Sequence, residues 1–306
     1  MMKKLVVACV ALCALATFII LFQYSVAKSE MRARRASDSQ VIETSAGPIE
    51  YARSGTEGPL VLIVHGAPGG FRSQPLPNSR TISLSRPGYL RTPIATGRSP
   101  REQADAYAAL LDALEIDEKV FVYAVSAGGP SGYEFAARHP ERTRGLVAVV
   151  AQSQSIPPED IVSILENDFG AWLSINLLSL SGPEAVAEAL FPNPQDQRVI
   201  SESEPLQQEA IDFLWSLWPY SLFRTGYEND MGALADIALP LDDIHVPTLI
   251  IHGTRDTSVP YEHAVYASKQ IANATFITIE GADHLAPFFT RREEKNAAMR
   301  TFMEAN

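Results

Sequence analysis

The chain has 306 residues, 46% hydrophobic and 20% charged, which is ordinary globular composition and argues against a fibre or a disordered segment. A formal net charge of −11 repels phosphate backbones, so nucleic acid is not an expected partner. The only cysteines, Cys9 and Cys13, both lie near the start, so the rest of the chain can hold no internal disulfide, thiolate-bound metal or thiol nucleophile.

Lys3 and Lys4 precede Leu5 to Phe22, eighteen residues without a charge. That run is close to the length that crosses a bilayer as a helix and longer than most cleaved signals. Residues 1–27 are therefore expected to be a membrane anchor. The alternative is a signal cut after Ser25-Val26-Ala27, with export of the remainder. Lys28, Arg32, Arg34 and Arg35 outnumber Lys3 and Lys4, so the positive-inside rule places an uncleaved catalytic domain on the cytoplasmic side. Residues 28–39 are polar and charged and read as a linker.

From residue 40 strand and helix signals alternate, which predicts an α/β domain with a mostly parallel sheet. Val41–Thr44 and Ile49–Arg53 form an opening hairpin around Gly47-Pro48. Leu60–His65, Thr81–Ser85, Val120–Val125, Gly145–Ala151, Thr248–His252 and Thr275–Glu280 are the further strands. Helices are predicted at Arg101–Leu114, Pro130–His139, Tyr261–Ile271 and Arg291–Glu304. Between about 152 and 244 the alternation stops. All three tryptophans lie there, in helix-like segments split by prolines, and the stretch reads as a helical cap inserted between two strands. Its aromatics are expected mainly to pack the cap, a few of them lining an apolar substrate pocket.

The chemistry concentrates at strand ends. Tyr123-Ala124-Val125-Ser126-Ala127-Gly128-Gly129 stands where a buried strand turns into a helix. A serine on so tight a turn is pushed clear of the sheet, and small residues two before and two after it avoid a collision. Ser126 is thus the expected nucleophile, and it needs a base. Of six histidines, His284 follows the last predicted strand on a loop that can reach the same sheet edge. His65, His252, His139, His245 and His263 read as structural or surface residues. Asp256, four residues beyond the end of the penultimate predicted strand, is the expected acid, with Asp283, Asp242 and Asp243 as rivals. His65-Gly66-Ala67-Pro68-Gly69-Gly70 lets backbone approach a developing oxyanion. The expected donors are the amides of Ala67 and Ala127, because Pro68 has no N–H. No Gly-Lys-Ser/Thr follows Gly69-Gly70, so a nucleotide site is not expected.

These pieces, with Ser85-Arg86-Pro87-Gly88-Tyr89, Gly253-x-x-Asp256-x-x-Val259-Pro260 and Gly281-x-x-His284, resemble the α/β-hydrolase superfamily over nearly everything after residue 40. The lid-bearing esterase, lactonase and proline-iminopeptidase-like members are the most similar. The resemblance implies an eight-stranded, mostly parallel sheet with a helical cap, a domain spanning 40–306. It also implies a cofactor-free acyl-enzyme mechanism on a small acyl substrate with an apolar part. An aspartate at the elbow would mark dehalogenases and epoxide hydrolases, and Ser126 argues against both.

Two departures stand out. Ser85 occupies a position that is usually Asp in this superfamily. Only about fifteen residues, Gly66 to Arg80, join two strands where relatives usually have a helix, so one face is expected to be thinned and the oxyanion loop loosened. Amide, lactone or carbon–carbon bond cleavage would use the same triad. For an aminopeptidase, Glu166, Asp168, Glu184 and Glu188 are the available cap carboxylates. The other reading is a non-catalytic, membrane-tethered binding protein on this scaffold.

Overall fold

The structure is a computed structural model and describes residues 2–72, 76–156 and 167–306. Eight strands form one sheet in the order β1-β2-β4-β3-β5-β6-β7-β8. They are β1 (Gln40–Thr44), β2 (Gly47–Ser54), β3 (Leu60–Val64), β4 (Arg80–Leu84), β5 (Val120–Val125), β6 (Thr143–Val149), β7 (Thr248–Gly253) and β8 (Ala274–Ile279). Strand β2 pairs antiparallel with β1 and β4, and every other pairing is parallel. The continuous apolar runs of β3, β5 and β7 are buried over nearly their whole length, as strands covered on both faces must be.

One face is covered by α2 (Pro100–Ala113), α3 (Gly129–Arg138) and α9 (Glu262–Gln270), whose Leu110, Leu111, Phe135 and Ala267 pack on Leu62, Val122 and Ile250. On the other face α10 (Arg292–Ala305) brings Met299 and Phe302 onto Val61, Ile63 and Phe121. Among its described residues, the short connection from β3 to β4 forms no helix, as its three prolines and missing helical period suggest. Leu76 from this connection is buried against the same face and supplies part of the missing cover.

Between β6 and β7 lie α4 (Asp168–Leu180), α5 (Pro183–Leu190), α6 (Pro194–Ser201), α7 (Glu204–Ser216) and α8 (Arg224–Ala233), the helical insertion expected there. Its aromatics do pack. Phe191 and Phe213 meet Phe289, and Trp172 and Trp218 form a cluster with Ala171 and Ile175.

The first helix, α1 (Met2–Ser37), differs from expectation. Lys28 to Ser37 does not form a linker; the helix continues through it without a break. The stretch KSEMRARRAS has neither Gly nor Pro and is rich in good helix formers. Tertiary contact then decides the outcome. Tyr24, Ala27, Lys28, Met31 and Arg35 form one stripe at helical spacing, and it docks on the cap. Arg35 is buried and donates from Nη2 to the carbonyls of Ser216 (2.6 Å) and Trp218 (2.8 Å). Leu5–Phe22, by contrast, is exposed, and the helix is long and apolar enough to cross a membrane.

Candidate active site

The parallel strands deliver their C-terminal loops to one edge, the usual place for functional groups in such a sheet. Ser126 follows β5 directly and has φ of 52°, a left-handed conformation rare for a residue with a side chain. Close packing holds it there. A Cβ on Gly128 would come within 2.5 Å of the His65 carbonyl oxygen, and one on Gly66 within 2.9 Å of Ser126 Cβ. The residues around the serine are small because backbone from the Gly66 loop lies against it.

His284 Nε2 lies 3.1 Å from Ser126 Oγ, and His284 Nδ1 lies 2.7 Å from Asp256 Oδ2. A carboxylate can only accept, so Nδ1 carries the proton and Nε2 of the neutral ring is free to accept from the serine hydroxyl. The structure therefore brings the three expected residues together across 158 and 28 positions of sequence. The loops carrying the acid and the base are stitched to each other. Arg255 N donates to Ala282 O (3.0 Å) and Gly281 N to Thr254 Oγ1 (2.8 Å).

Asp256 is fully engaged. Oδ1 accepts from the amides of Ser258 and Val259, both at 2.9 Å, while Oδ2 faces His284 and, at 3.2 Å, His252 Nε2. Burial opposes its charge, but hydrogen bonds from His252 and His284 more than offset that and hold the carboxyl well below its ordinary range. His252, expected to be structural, also donates to the Val259 carbonyl at 2.8 Å. Its contact with the acid was not foreseen; the four-residue spacing on a strand end was the available signal.

The rivals lie elsewhere. Asp283 turns back onto its own chain, accepting from Leu285 N (3.1 Å) and Ala286 N (3.0 Å). Asp242 and Asp243 are exposed. His65 Nε2 accepts from the Arg86 amide (2.9 Å), and its Nδ1 faces Gly66 O (2.6 Å), so it braces the Gly66 loop. Desolvation, and then the nearby Arg86 charge, push its pKa far down, which suits a neutral structural ring. Asp168 is spent on Lys28 Nζ (2.7 Å), Ser221 N (2.8 Å) and Ser221 Oγ (2.6 Å). Glu184 and Glu188 are exposed, and Glu166 lies outside the described residues. Ala67 follows Gly66 and Ala127 follows Ser126 in the chain, so both adjoin the close approach of Gly66 to Ser126. Among the described residues no group of three or more His, Cys, Asp or Glu could hold a metal ion.

Two buried clusters support the loop facing Ser126. Glu50, on β2, accepts from Ser85 Oγ (2.8 Å), Arg91 Nε (2.7 Å) and Ser39 Oγ (2.6 Å). A carboxylate thus sits beside Ser85 although Ser85 is not itself an acid. Ser85 Oγ in turn accepts from Phe71 N at 3.3 Å, which pins the far end of the Gly66 loop. Arg86 makes a two-pronged pair with Asp230 of α8 (2.5 and 3.0 Å), both side chains 1% exposed, and Tyr89 Oη donates to the same carboxylate at 2.5 Å. The pair couples the cap to the Gly66 loop, whose Gly66 carbonyl accepts from Arg86 Nη2 at 3.4 Å. Removing one partner leaves a buried charge alone, which costs about 3–5 kcal/mol. Asp230→Ala should lower unfolding free energy by that amount in denaturant titrations. A loss below about 1 kcal/mol, the range of an exposed pair, would show that Arg86 is solvated.

Comparison with known proteins places this geometry in context. Residues 61–298 match the model of the alpha/beta hydrolase family. An uncharacterised hydrolase, YcgS of Bacillus subtilis, is 27% identical over 281 residues, covering 87% of this chain and 98% of that protein. A pimeloyl-[acyl-carrier protein] methyl ester esterase of Neisseria meningitidis is 25% identical over 246 residues, covering 75% of this chain and 85% of the esterase. Among solved structures, an alpha/beta hydrolase fold protein from Nakamurella multipartita is 30% identical, with a TM-score of 0.73, covering 86% of this chain and 99% of that one.

Proposed function

We propose, from the premise that this chain belongs to the alpha/beta hydrolase family, that it is a membrane-anchored serine esterase. The observation carrying this reading is the continuous relay from Ser126 through His284 to a buried, fully hydrogen-bonded Asp256. Ser126 Oγ attacks the acyl carbon while His284 Nε2 takes its proton. His284 then delivers that proton to the departing alcohol, and the acyl group remains on Ser126. Water, deprotonated by His284, releases the acid and restores the serine. The amides of Ala67 and Ala127 donate to the oxyanion formed in each half. Asp256 stays ionised throughout; it fixes the tautomer of His284 and stabilises its protonated form.

The name of the Neisseria relative supports an ester as the bond cleaved. An aminopeptidase has less support, because Asp168 is consumed by Lys28 and Ser221. A non-catalytic binding protein would have no use for the Ser126–His284 contact. Retention of the N-terminal helix is supported by its packing. Cutting after Ala27 would strip Tyr24 from its edge contacts with Phe169, Trp172 and Trp218. The test is a panel of p-nitrophenyl esters of increasing acyl length, given to the full chain in detergent. The reading expects an initial burst of nitrophenol matching the active chains, then steady turnover. No release from any ester, alongside turnover of a lactone or an aminoacyl amide, would overturn it.

A further inference from the structure

The cap helix α4 presents an apolar face that stands exposed among the described residues. Leu173, Leu177 and Leu180 lie one turn apart along it and are 37%, 56% and 84% exposed. After Asp168 the helix carries no charge at all, reading FGAWLSINLLSL. Its other stripe, Ala171, Trp172 and Ile175, is buried in the cluster that receives Tyr24, Ala27 and Met31 of α1. A surface helix in water is expected to turn a charged face outward, and this one does not.

Two contacts set the direction of α4 relative to α1. Lys28 pairs with Asp168 at the start of α4, and Tyr24 packs on Trp172 one turn further on. Moving forward along α4 is therefore moving backward along α1, toward the uncharged run Leu5–Phe22. At about 1.5 Å per residue, Leu177 and Leu180 lie roughly 8 and 12 Å beyond Trp172 in that direction. They stand level with the apolar run rather than with the polar part of α1. The boundary between the two zones carries the partly exposed Tyr24 and Trp215, residue types that settle at the membrane–water interface. Arg32 and Arg34, exposed on the far side of that boundary, are placed for lipid headgroups.

We propose that the cap is seated in the membrane surface, with the Leu173–Leu177–Leu180 face of α4 in lipid beside the N-terminal helix. The proposal rests on the anchored reading above. The lipid is chosen over a second copy of the chain because the apolar face continues the surface of α1 and points along it. The active site of such a protein is held at a fixed height over the bilayer by the cap itself, not carried on a tether. Substrates already partitioned into lipid are then the ones it meets at high local concentration.

The test uses the full chain with Cys9→Ala and Cys13→Ala, a single new cysteine, and an environment-sensitive fluorophore. Leu177→Cys places the label on α4, and Asp117→Cys places it on an exposed turn before β5, at the opposite edge of the sheet. Each is reconstituted in phosphatidylcholine vesicles and floated on a density gradient, then exposed to iodide in the water or to nitroxide-bearing lipid. The proposal expects both to float. The label at 177 should be quenched by the nitroxide lipid and several-fold less by iodide than the label at 117. If both float and iodide quenches both alike, the proposal falls and the anchor stands. If neither floats, the anchored reading falls and takes the proposal with it. A label at 177 shielded from both quenchers, increasingly so at higher protein-to-lipid ratio, would mean that a second copy covers the face, and the proposal would be wrong.

Discussion

Asp256→Asn should lower kcat for ester hydrolysis by about 10⁴, the loss seen when the acid of a comparable serine triad becomes an amide. The cause can be traced atom by atom. If the Asn keeps its oxygen toward the Ser258 and Val259 amides, its NH2 faces His284 Nδ1 and His252 Nε2. A donor then meets the ring proton of His284, which must move to Nε2, where it blocks acceptance from Ser126. The loss should fall on kcat rather than KM, since Asp256 is buried away from substrate. Asp283→Asn is the control. Its Oδ1 caps the Leu285 and Ala286 amides, which an Asn oxygen can also do, and its carboxylate makes no hydrogen bond to His284, so activity should stay near that of the parent. Steady-state kinetics on both variants decide the matter; a crippled Asp283→Asn beside a healthy Asp256→Asn would reverse the assignment.

The same substitution has a signature in stability. The folded-state pKa of Asp256 is depressed, so its ionised form contributes stability that is fully present above the unfolded value of 3.8 and lost as pH falls through the folded value. Asp256→Asn should be less stable than the parent at neutral pH, and the gap should narrow as acid is added below pH 3.8.

Ser126→Ala carries the largest expected loss, about 10⁶ in kcat, by comparison with removal of the nucleophile from another serine hydrolase. Nothing replaces the Oγ that faces His284, and direct attack by water retains only what binding and oxyanion stabilisation supply. The fold should survive. Alanine is smaller than serine, and both pay a similar penalty for the left-handed φ of 52°. Circular dichroism and the unfolding midpoint should match the parent while ester turnover vanishes. Substantial residual turnover in a pure sample would remove Ser126 from the mechanism.

Much of this architecture is legible in the sequence because burial on two faces leaves unbroken apolar runs, such as LVLIV and VFVYAV. Ser126 is legible because it stands immediately after such a run, and Asp256 and His284 because they fall three and five residues beyond the ends of β7 and β8. What stayed hidden depends on contacts between distant segments. Glu50 sits in an edge hairpin and reads as a solvated charge, yet it is 1% exposed and anchors Ser85 and Arg91. Arg86 and Asp230 lie 144 residues apart, and neither shows a local sign of its partner. Within the stretch that reads as linker, Lys28, Met31 and Arg35 give no sign of docking until the cap supplies Asp168, Trp172 and the Ser216 and Trp218 carbonyls. The shortened connection after Gly66 raised the expectation of a loosened oxyanion loop. In the structure that loop is tied at both ends, by Arg86 to His65 and by Phe71 to Ser85.

The most direct measurement is to react the full chain with a fluorophosphonate and locate the adduct by peptide mass spectrometry. A nucleophile activated by His284 should be phosphonylated at Ser126 and nowhere else, in step with the loss of ester hydrolysis, and Asp256→Asn should react far more slowly. An adduct at another residue, or full hydrolysis surviving complete modification of Ser126, would contradict the account.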